Sequence, residues 1–501
     1  MNIDLWVAGF TLALSAQNLL YLFLGTFIGL IVGALPGLGA IFGVALMMPF
    51  TFGLPPATAI IFLVSIHAAT AYGDSIASIL INTPGGPGSI ATCWDGYPMA
   101  QQGKGGTALG ISTFGSVLGG ISGWLCLVLV APLLVTFALK IGAAEYFSLG
   151  IMALALLAVG SKGETVKGLF MGCLGLMLAF IGQDPINGIN RLTFGTLYLE
   201  DGLKIVPVTV GLFALSQAMT LAEQGDSISK FHEVTDSVWN GFREIVKRPM
   251  SAVRGALCGI FFGIMPALGI VTASIMAYMF EKQSSKEPET FGKGNPCGLI
   301  APEVSKNACV VGDLIPTFTL GIPGSPTTAI LLAALVIHGL KPGPDFFLSG
   351  AVPYTIFAGI LLAQLSFFVF GIFLARYFVK VVVIPIALLV PAIVVLSIYG
   401  TYAYRTNLVD VAVMMIFGLI GYLLKKAGYQ PASLVLGLVL GGLLEPQFNR
   451  ALLISDGSYA VFVTRPISLS FLVIAALFVL WPFLKDLFLK KVSGHSLRLK
   501  A

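Results

Sequence analysis

The sequence predicts an all-α polytopic membrane protein of two homologous halves, arranged as inverted repeats, with broken helices and re-entrant hairpins. Three observations carry this reading. Hydrophobic residues make up 57% of the 501 residues and charged residues only 10%, where soluble domains carry about 25% charged residues. Glycine contributes 59 residues, well above the usual share of about 7%, and many glycines sit beside prolines. Motifs of the first half also return in the second half in the same order.

The composition excludes whole classes. So few charges cannot cover a soluble protein of this size, and disorder needs the opposite balance. The six cysteines include no C-x-x-C pair, so neither a disulfide framework nor a zinc site is expected. No basic cluster is dense enough to expect nucleic acid as a partner, and the expected surroundings are a lipid bilayer. The first basic residue is Lys104, so the basic n-region of a cleavable signal is missing. Gly103-Lys104 is followed by Gly105, with Pro98 where a phosphate loop needs glycine. Neither a G-x-S-x-G elbow nor an H-E-x-x-H zinc motif occurs. A non-enzyme without a resident cofactor is expected.

Apolar stretches run 19–34, 38–53, 56–72, 107–139, 146–160, 164–182 and 204–222, then 252–280, 298–320, 326–340, 349–379, 382–400, 407–424, 431–444 and 466–484. A spanning helix needs about 20 apolar residues, so several of these are too short or too broken to be simple spans. The division expected is a first transmembrane repeat over 1–225, a linking amphipathic helix over 226–249, and a second repeat over 250–501 with a short basic C-terminal tail. In the linker, Phe231, Val234, Val238, Trp239, Phe242, Ile245 and Val246 follow the spacing of one helix face, with charges on the other. That pattern predicts an interfacial helix with Trp239 toward lipid.

The repeat shows in two places. Gly29-Leu-Ile-Val-Gly33-Ala-Leu-Pro36-Gly37-Leu-Gly39 matches Gly259-Ile-Phe-Phe-Gly263-Ile-Met-Pro266-Ala-Leu-Gly269, an offset of 230 residues. Gly73-Asp74 and Pro84-Gly85-Gly86-Pro87 match Gly312-Asp313 and Pro323-Gly324-Ser325-Pro326, an offset of 239. Basic residues in the central interval and in the tail favour the cytoplasm for both, whereas the contrast between the uncharged 50–57 loop and the Lys-rich 281–296 loop favours opposite sides for the halves. The arrangement expected is inverted, with a cytoplasmic C-terminus.

Proline inside an apolar segment breaks the helix, and broken backbone at membrane depth must line a polar cavity or be buried. Matched broken segments in two halves point to a transporter's substrate site. The turns bring Asn82, Thr83, Gly85, Gly86 and Ser89 in the first half, and Gly324, Ser325, Thr327 and Thr328 in the second, to helix N-termini that suit an anion. Asn307, in the segment leading to the second turn, joins this substrate-binding set. Unwound carbonyls around Pro36, Gly37 and Gly39, and around Pro266 and Gly269, could coordinate Na⁺. Asp74 and Asp313 are charges in apolar surroundings, which default to functional hypotheses. For them a coupling cation, a proton relay and a structural bond to the turn all stand open. Glu303 and Lys306 are either a local pair or substrate contacts.

Several strings resemble one family. Gly33-Ala-Leu-Pro-Gly-Leu-Gly39, Asn82-Thr-Pro-Gly-Gly-Pro-Gly88, Asp95-Gly-Tyr-Pro-Met-Ala100, Ala301-Pro-Glu303 with Asn307, and Leu320-Gly-Ile-Pro-Gly-Ser325 are similar to the large membrane subunit of tripartite tricarboxylate transporters, the TctA family. The resemblance covers essentially the whole chain. It departs at Asp74, where a small residue is more usual, and over Val304-Ser-Lys306, where small or amide residues are. It implies a secondary active importer (symport) of the bacterial inner membrane, with Na⁺ or H⁺ as coupling ion. It also implies a small four-helix membrane subunit and a periplasmic solute-binding protein as partners. The implied cargo is a small carboxylate: a tricarboxylate such as citrate, or a related di- or aromatic carboxylate. A passive channel or exporter for organic anions and a membrane-embedded enzyme are the alternatives.

Overall fold

In the computed structural model the apolar stretches are helices, and the described residues are 3–160, 165–184, 187–224, 236–266, 268–382 and 384–480. The first half runs α1 (Ile3–Ala13), α2 (Ala16–Ala34), α3 (Gly39–Met47), α4 (Pro56–Ile81), α5 (Ile90–Gln101), α6 (Gly105–Ala138), α7 (Ala143–Gly160), α8 (Thr165–Ala179), α9 (Leu197–Glu200), α10 (Ile205–Thr209) and α11 (Ser216–Gln224). The second half runs α12 (Trp239–Lys247), α13 (Pro249–Ile264), α14 (Gly269–Ser284), α15 (Pro296–Gly312), α16 (Leu314–Leu320), α17 (Pro326–Ile337), α18 (Val352–Val382), α19 (Ile386–Arg405), α20 (Leu408–Lys426), α21 (Pro431–Ile454) and α22 (Val461–Thr464). The strands described are a two-residue antiparallel pair, Gly182–Gln183 with Asn190–Arg191. Among the described residues, eight helices are long and apolar enough to cross a membrane. The chain is therefore an all-α, multi-pass membrane protein.

The helices divide into two compact units. One comprises residues 1–138 and 204–423, the other 139–203 and 424–501. Each unit draws on both sides of residue 225, so contact units and sequence halves follow different boundaries. In the smaller unit, Gly175 of α8 lies against the Leu434 carbonyl of α21. There Arg465 pairs with Glu145 at 3.1 Å and Arg191 with Glu445 at 2.6 Å.

The larger unit is built on two matching glycine ladders. A Cβ at Gly25, Gly29 or Gly33 of α2 would collide with the carbonyls of Phe62, Ile66 and Thr70 of α4. A Cβ at Gly255, Gly259 or Gly263 of α13 would collide with those of Ala301, Ser305 and Cys309 of α15. Glycine every fourth residue lets two backbones approach closely, the main source of helix association where no hydrophobic drive exists. The spacing is the same in both ladders, and the partner carbonyls keep the offset of 239.

The breaks fall where proline and glycine put them. α2 ends at Ala34, and Gly37 and Gly39 take φ of 80° and 69° before α3. The stretch 252–280, read as one apolar run, is interrupted after Ile264 and restarts at Gly269, φ 65°; Ala267 lies outside the described residues. The stretch 56–72 instead continues as helix to Ile81, because Ser75 and Ser78 bury their hydroxyls without disturbing it.

The linking helix is described from Trp239 onward, and its predicted first turns at 226–235 lie outside the described residues. Asp236 is not helical: its carboxylate accepts from the Gly106 and Thr107 amides and the Thr107 hydroxyl, capping α6. Trp239, Phe242 and Val246 are exposed while Gly241 and Ile245 are buried. The apolar face of α12 is thus split between packing and exposure. The basic C-terminal tail lies within 481–501, also outside the described residues.

Candidate functional site

Both hairpins sit over a buried acid. α4 ends at Asn82 in the left-handed region, φ 55°, and the chain turns through Gly85 and Gly86 into a short 3-10 turn, Pro87–Ser89, before α5. The Gly85 amide donates to the Asp74 carbonyl at 3.3 Å. A Cβ at Gly86 would collide with the Asp74 carboxylate. In the second half, Pro316 lacks the N–H that would bind the Gly312 carbonyl, so the helix is offset at Asp313 between α15 and α16. α16 ends at Gly321, φ 68°. A Cβ at Gly324 would lie 2.6 Å from the Asp313 carbonyl and 2.7 Å from its Cβ. Asp74 and Asp313 are buried, and the Oδ1 of each has no hydrogen-bond partner.

The first break joins the first hairpin. The Gly37 amide donates to the Gly85 carbonyl at 2.9 Å, and Gly39 faces Gly86 and Pro87. Pro36, Gly37 and Gly39 are thus gathered with Asp74. The second break, Pro266–Gly269, leads into Ile270, whose side chain lies against Gly88 of the first hairpin.

The turn hydroxyls are mostly engaged locally. Ser89 donates to the Gly86 carbonyl and accepts from Ser78 at 2.8 Å. Ser325 and Thr328 form a capping box at the start of α17, which satisfies helix amides that would otherwise be bare. These residues shape the turns. Thr327 is buried next to them, Asn82 is exposed, and Thr83 donates to the Ile81 carbonyl at 3.3 Å.

The densest polar cluster lies one helix face away, on α15. Glu303 is fully buried. It accepts from Ser75 at 2.8 Å, Thr92 at 2.5 Å, Ser112 at 2.7 Å and Ser116 at 3.4 Å. Lys306, also fully buried, lies 3.2 Å from both carboxylate oxygens and donates to Ser75. Glu303 and Lys306 are therefore a local pair and more, because the pair ties α4, α5 and α6 to α15. His67 of α4 reaches across to Asp313, Nε2 to Oδ1 at 3.5 Å. Asn307, one turn beyond Glu303, has no exposed surface, and neither its Oδ1 nor its Nδ2 has a hydrogen-bond partner.

Reading the sequence missed the hydroxyls. Ser75 and Ser78 on α4 and Ser112 and Ser116 on α6 stand one turn apart in apolar helices, a pattern that marks one polar face each. Among the described residues no group of three His, Cys, Asp or Glu could hold a metal ion.

An uncharacterised 52.8 kDa protein in the TAR-I ttuC' 3' region of Agrobacterium vitis is 37% identical over 468 residues, 93% of either chain. An uncharacterised protein in the TAR-II ttuC' 3' region of the same organism is 40% identical over 215 residues, 43% of this chain and 89% of that one. No solved structure matches. The family model of the tripartite tricarboxylate transporter TctA family matches residues 19–436, and the chain belongs to that family of transporter components.

Proposed function

We propose that this chain is the large membrane subunit of a secondary active importer for a small carboxylate, citrate or a related di- or aromatic carboxylate. Import is across the bacterial inner membrane and is driven by a Na⁺ or H⁺ gradient. A periplasmic solute-binding protein delivers the substrate, and a small four-helix subunit completes the membrane part. The observation that carries this reading is the presence in each half of a Pro-Gly hairpin over a buried acid, together with a buried, unsatisfied Asn307 on α15. A buried amide without partners costs about 1–3 kcal/mol, a cost that a bound carboxylate or ion offsets.

The division of labour follows from chemistry. The substrate carboxylates bind the N-terminal amides of α5 and α17, where the helix dipole favours negative charge, and Asn307 contributes an amide donor. The turn hydroxyls of Ser89, Ser325 and Thr328 hold the shape of these N-termini, and Thr327 borders the second. The cation is held by Asp74 or Asp313 with the unwound carbonyls at Pro36–Gly39 and Pro266–Gly269. Two halves of matched broken helices then exchange access to the two sides.

The test is uptake of radiolabelled citrate, with dicarboxylate and aromatic acid competitors, by proteoliposomes holding the complete tripartite system. Accumulation above the equilibrium level under an imposed Na⁺ or pH gradient is the expected result. Equilibration without accumulation, indifferent to both gradients, would show a channel.

A further inference from the structure

α5 lies beside α14 from the first turn outward. Ile270 packs on Gly88 at the turn. Further out, Ala91, Trp94, Ile275, Tyr278, Phe291 and Cys297 form one apolar cluster, in which Trp94 meets Tyr278 edge to face with ring centroids 4.7 Å apart. From Gly88 to Asp95 is seven residues, about 10 Å of helix. The seam between the two helices therefore leads from the turn to an outer rim.

Phe291 belongs to neither helix. It sits in the connection between α14 and α15, residues 285–295, just after a 3-10 turn at Pro288–Thr290. Lys286, Glu289 and Lys293 of this connection are exposed, yet Phe291 is buried and meets the Tyr278 ring edge-on at 5.5 Å. Asp95 of α5 holds it there. One oxygen, Oδ1, accepts from the amides of Gly292 at 3.0 Å, Gly294 at 2.8 Å and Asn295 at 2.7 Å. Gly292 and Gly294 take φ of 83° and 94°, a backbone freedom that lets these amides converge on one anion. The Gln102 side chain adds a bond to the Lys293 carbonyl at 2.8 Å. Each of these donors is one that water can satisfy once the connection lifts. Lys104 follows α5, Lys282 ends α14, and Lys286 and Lys293 lie between α14 and α15, so the positive-inside rule puts this rim in the cytoplasm.

We propose that residues 285–295 are a strap over the cytoplasmic exit from the first turn, with Phe291 as its stopper and Asp95 as the positioning residue that latches it, and that the strap lifts in each import cycle. This rests on the importer reading above and deepens it by naming the substrate's way out. A carboxylate leaving the N-terminal amides of α5 passes along the seam between α5 and α14, which Phe291 otherwise fills.

A bridge across the strap gives the test. Gln102 and Lys293 are exposed and lie outside the proposed substrate site. In a Gln102→Cys/Lys293→Cys protein without the native cysteines, a short bis-methanethiosulfonate bridge is expected to stop citrate uptake by proteoliposomes of the complete system, and a reductant to restore it. A long, flexible polyethylene-glycol bridge between the same positions should permit uptake. Stabilisation of the protein by citrate in thermal unfolding should persist with the short bridge, because the turn itself is untouched.

The latch has a readout that needs no transport. With Cys297 as the sole cysteine, a membrane-impermeant maleimide reaches it from the cytoplasm when the strap lifts. Asp95→Asn keeps the shape but removes the charge that draws three amides. It should speed labelling in inside-out vesicles about tenfold, the worth of one charge-assisted hydrogen bond, and leave labelling in right-side-out vesicles unchanged. Uptake undiminished by the short bridge, uptake stopped equally by both bridges, or Cys297 labelling unchanged in Asp95→Asn overturns the proposal. Wild-type protein that takes up none of the tested acids would instead overturn the importer reading, while the labelling still decides for or against the strap.

Discussion

Glu303 and Asn307 stand four positions apart on one face of α15, both without exposed surface, yet their surroundings are opposite. Glu303 has four hydroxyl donors and an ammonium; Asn307 has no hydrogen-bond partner for either amide atom. A satisfied buried charge holds structure, whereas an unsatisfied buried amide is available to a ligand. Glu303→Ala should leave Lys306 buried without its counter-ion and cost about 3–5 kcal/mol, read as a large fall in the thermal midpoint in nanodiscs. Asn307→Ala breaks no bond of the folded protein. It should leave that midpoint nearly unchanged while lowering citrate uptake about tenfold or more, since about 1.4 kcal/mol is one decade. Gly324→Val should abolish uptake, because its Cβ would meet the Asp313 backbone and Cβ at 2.6–2.8 Å and push the turn off its acid. Asp74 and Asp313 were legible as single charges in apolar runs. The partner of Asp313 was not, because His67 gains meaning only when the two halves meet.

Helices and breaks were the most legible level. Pro36 and Pro266, and the two Pro-Gly turns, mark interruptions that the helix boundaries bear out at Ala34, Ile264, Ile81 and Leu320. The four-residue glycine spacing of 25–33 and 255–263 is visible in the sequence, but its partners, the carbonyls of α4 and α15, are not. Gly29→Leu or Gly259→Leu should therefore be destabilising through backbone collision, by about 1–3 kcal/mol or more, measured as the thermal midpoint in nanodiscs. The hydroxyl ring of Glu303 was illegible for a related reason. It requires α6, from before the linker, to pack on α15, from after it, through Gly115, Gly119 and Gly123. α12 carries Trp239, Phe242 and Val246 on an exposed face. Spin labels replacing Trp239 or Phe242 should be accessible to oxygen and protected from water-soluble relaxants in bilayers. Full exposure to the aqueous relaxant would contradict an interfacial helix.

At the scale of the whole chain, the repeat describes ancestry of sequence while the compact units describe contact. Residues 1–138 and 204–423 form one unit, and the links Ser75–Glu303, Lys306–Ser75 and His67–Asp313 run from one half to the other. Neither half can satisfy its buried charges alone. The family membership and the multi-pass architecture follow from strings and composition that survive without any geometry. The candidate site does not, because its acids, bases and amide come from α4, α15 and the two turns together. The account's central claim is that the two turns over Asp74 and Asp313, with Asn307, hold the carboxylate. The most direct measurement is a cryo-electron microscopy map of the complex in lipid with saturating citrate and Na⁺, compared with a map lacking citrate. The account predicts added density touching the Gly85–Ser89 turn, the Gly324–Thr328 turn and Asn307. Density bound elsewhere, with these turns and Asn307 unchanged between the two maps, would contradict it.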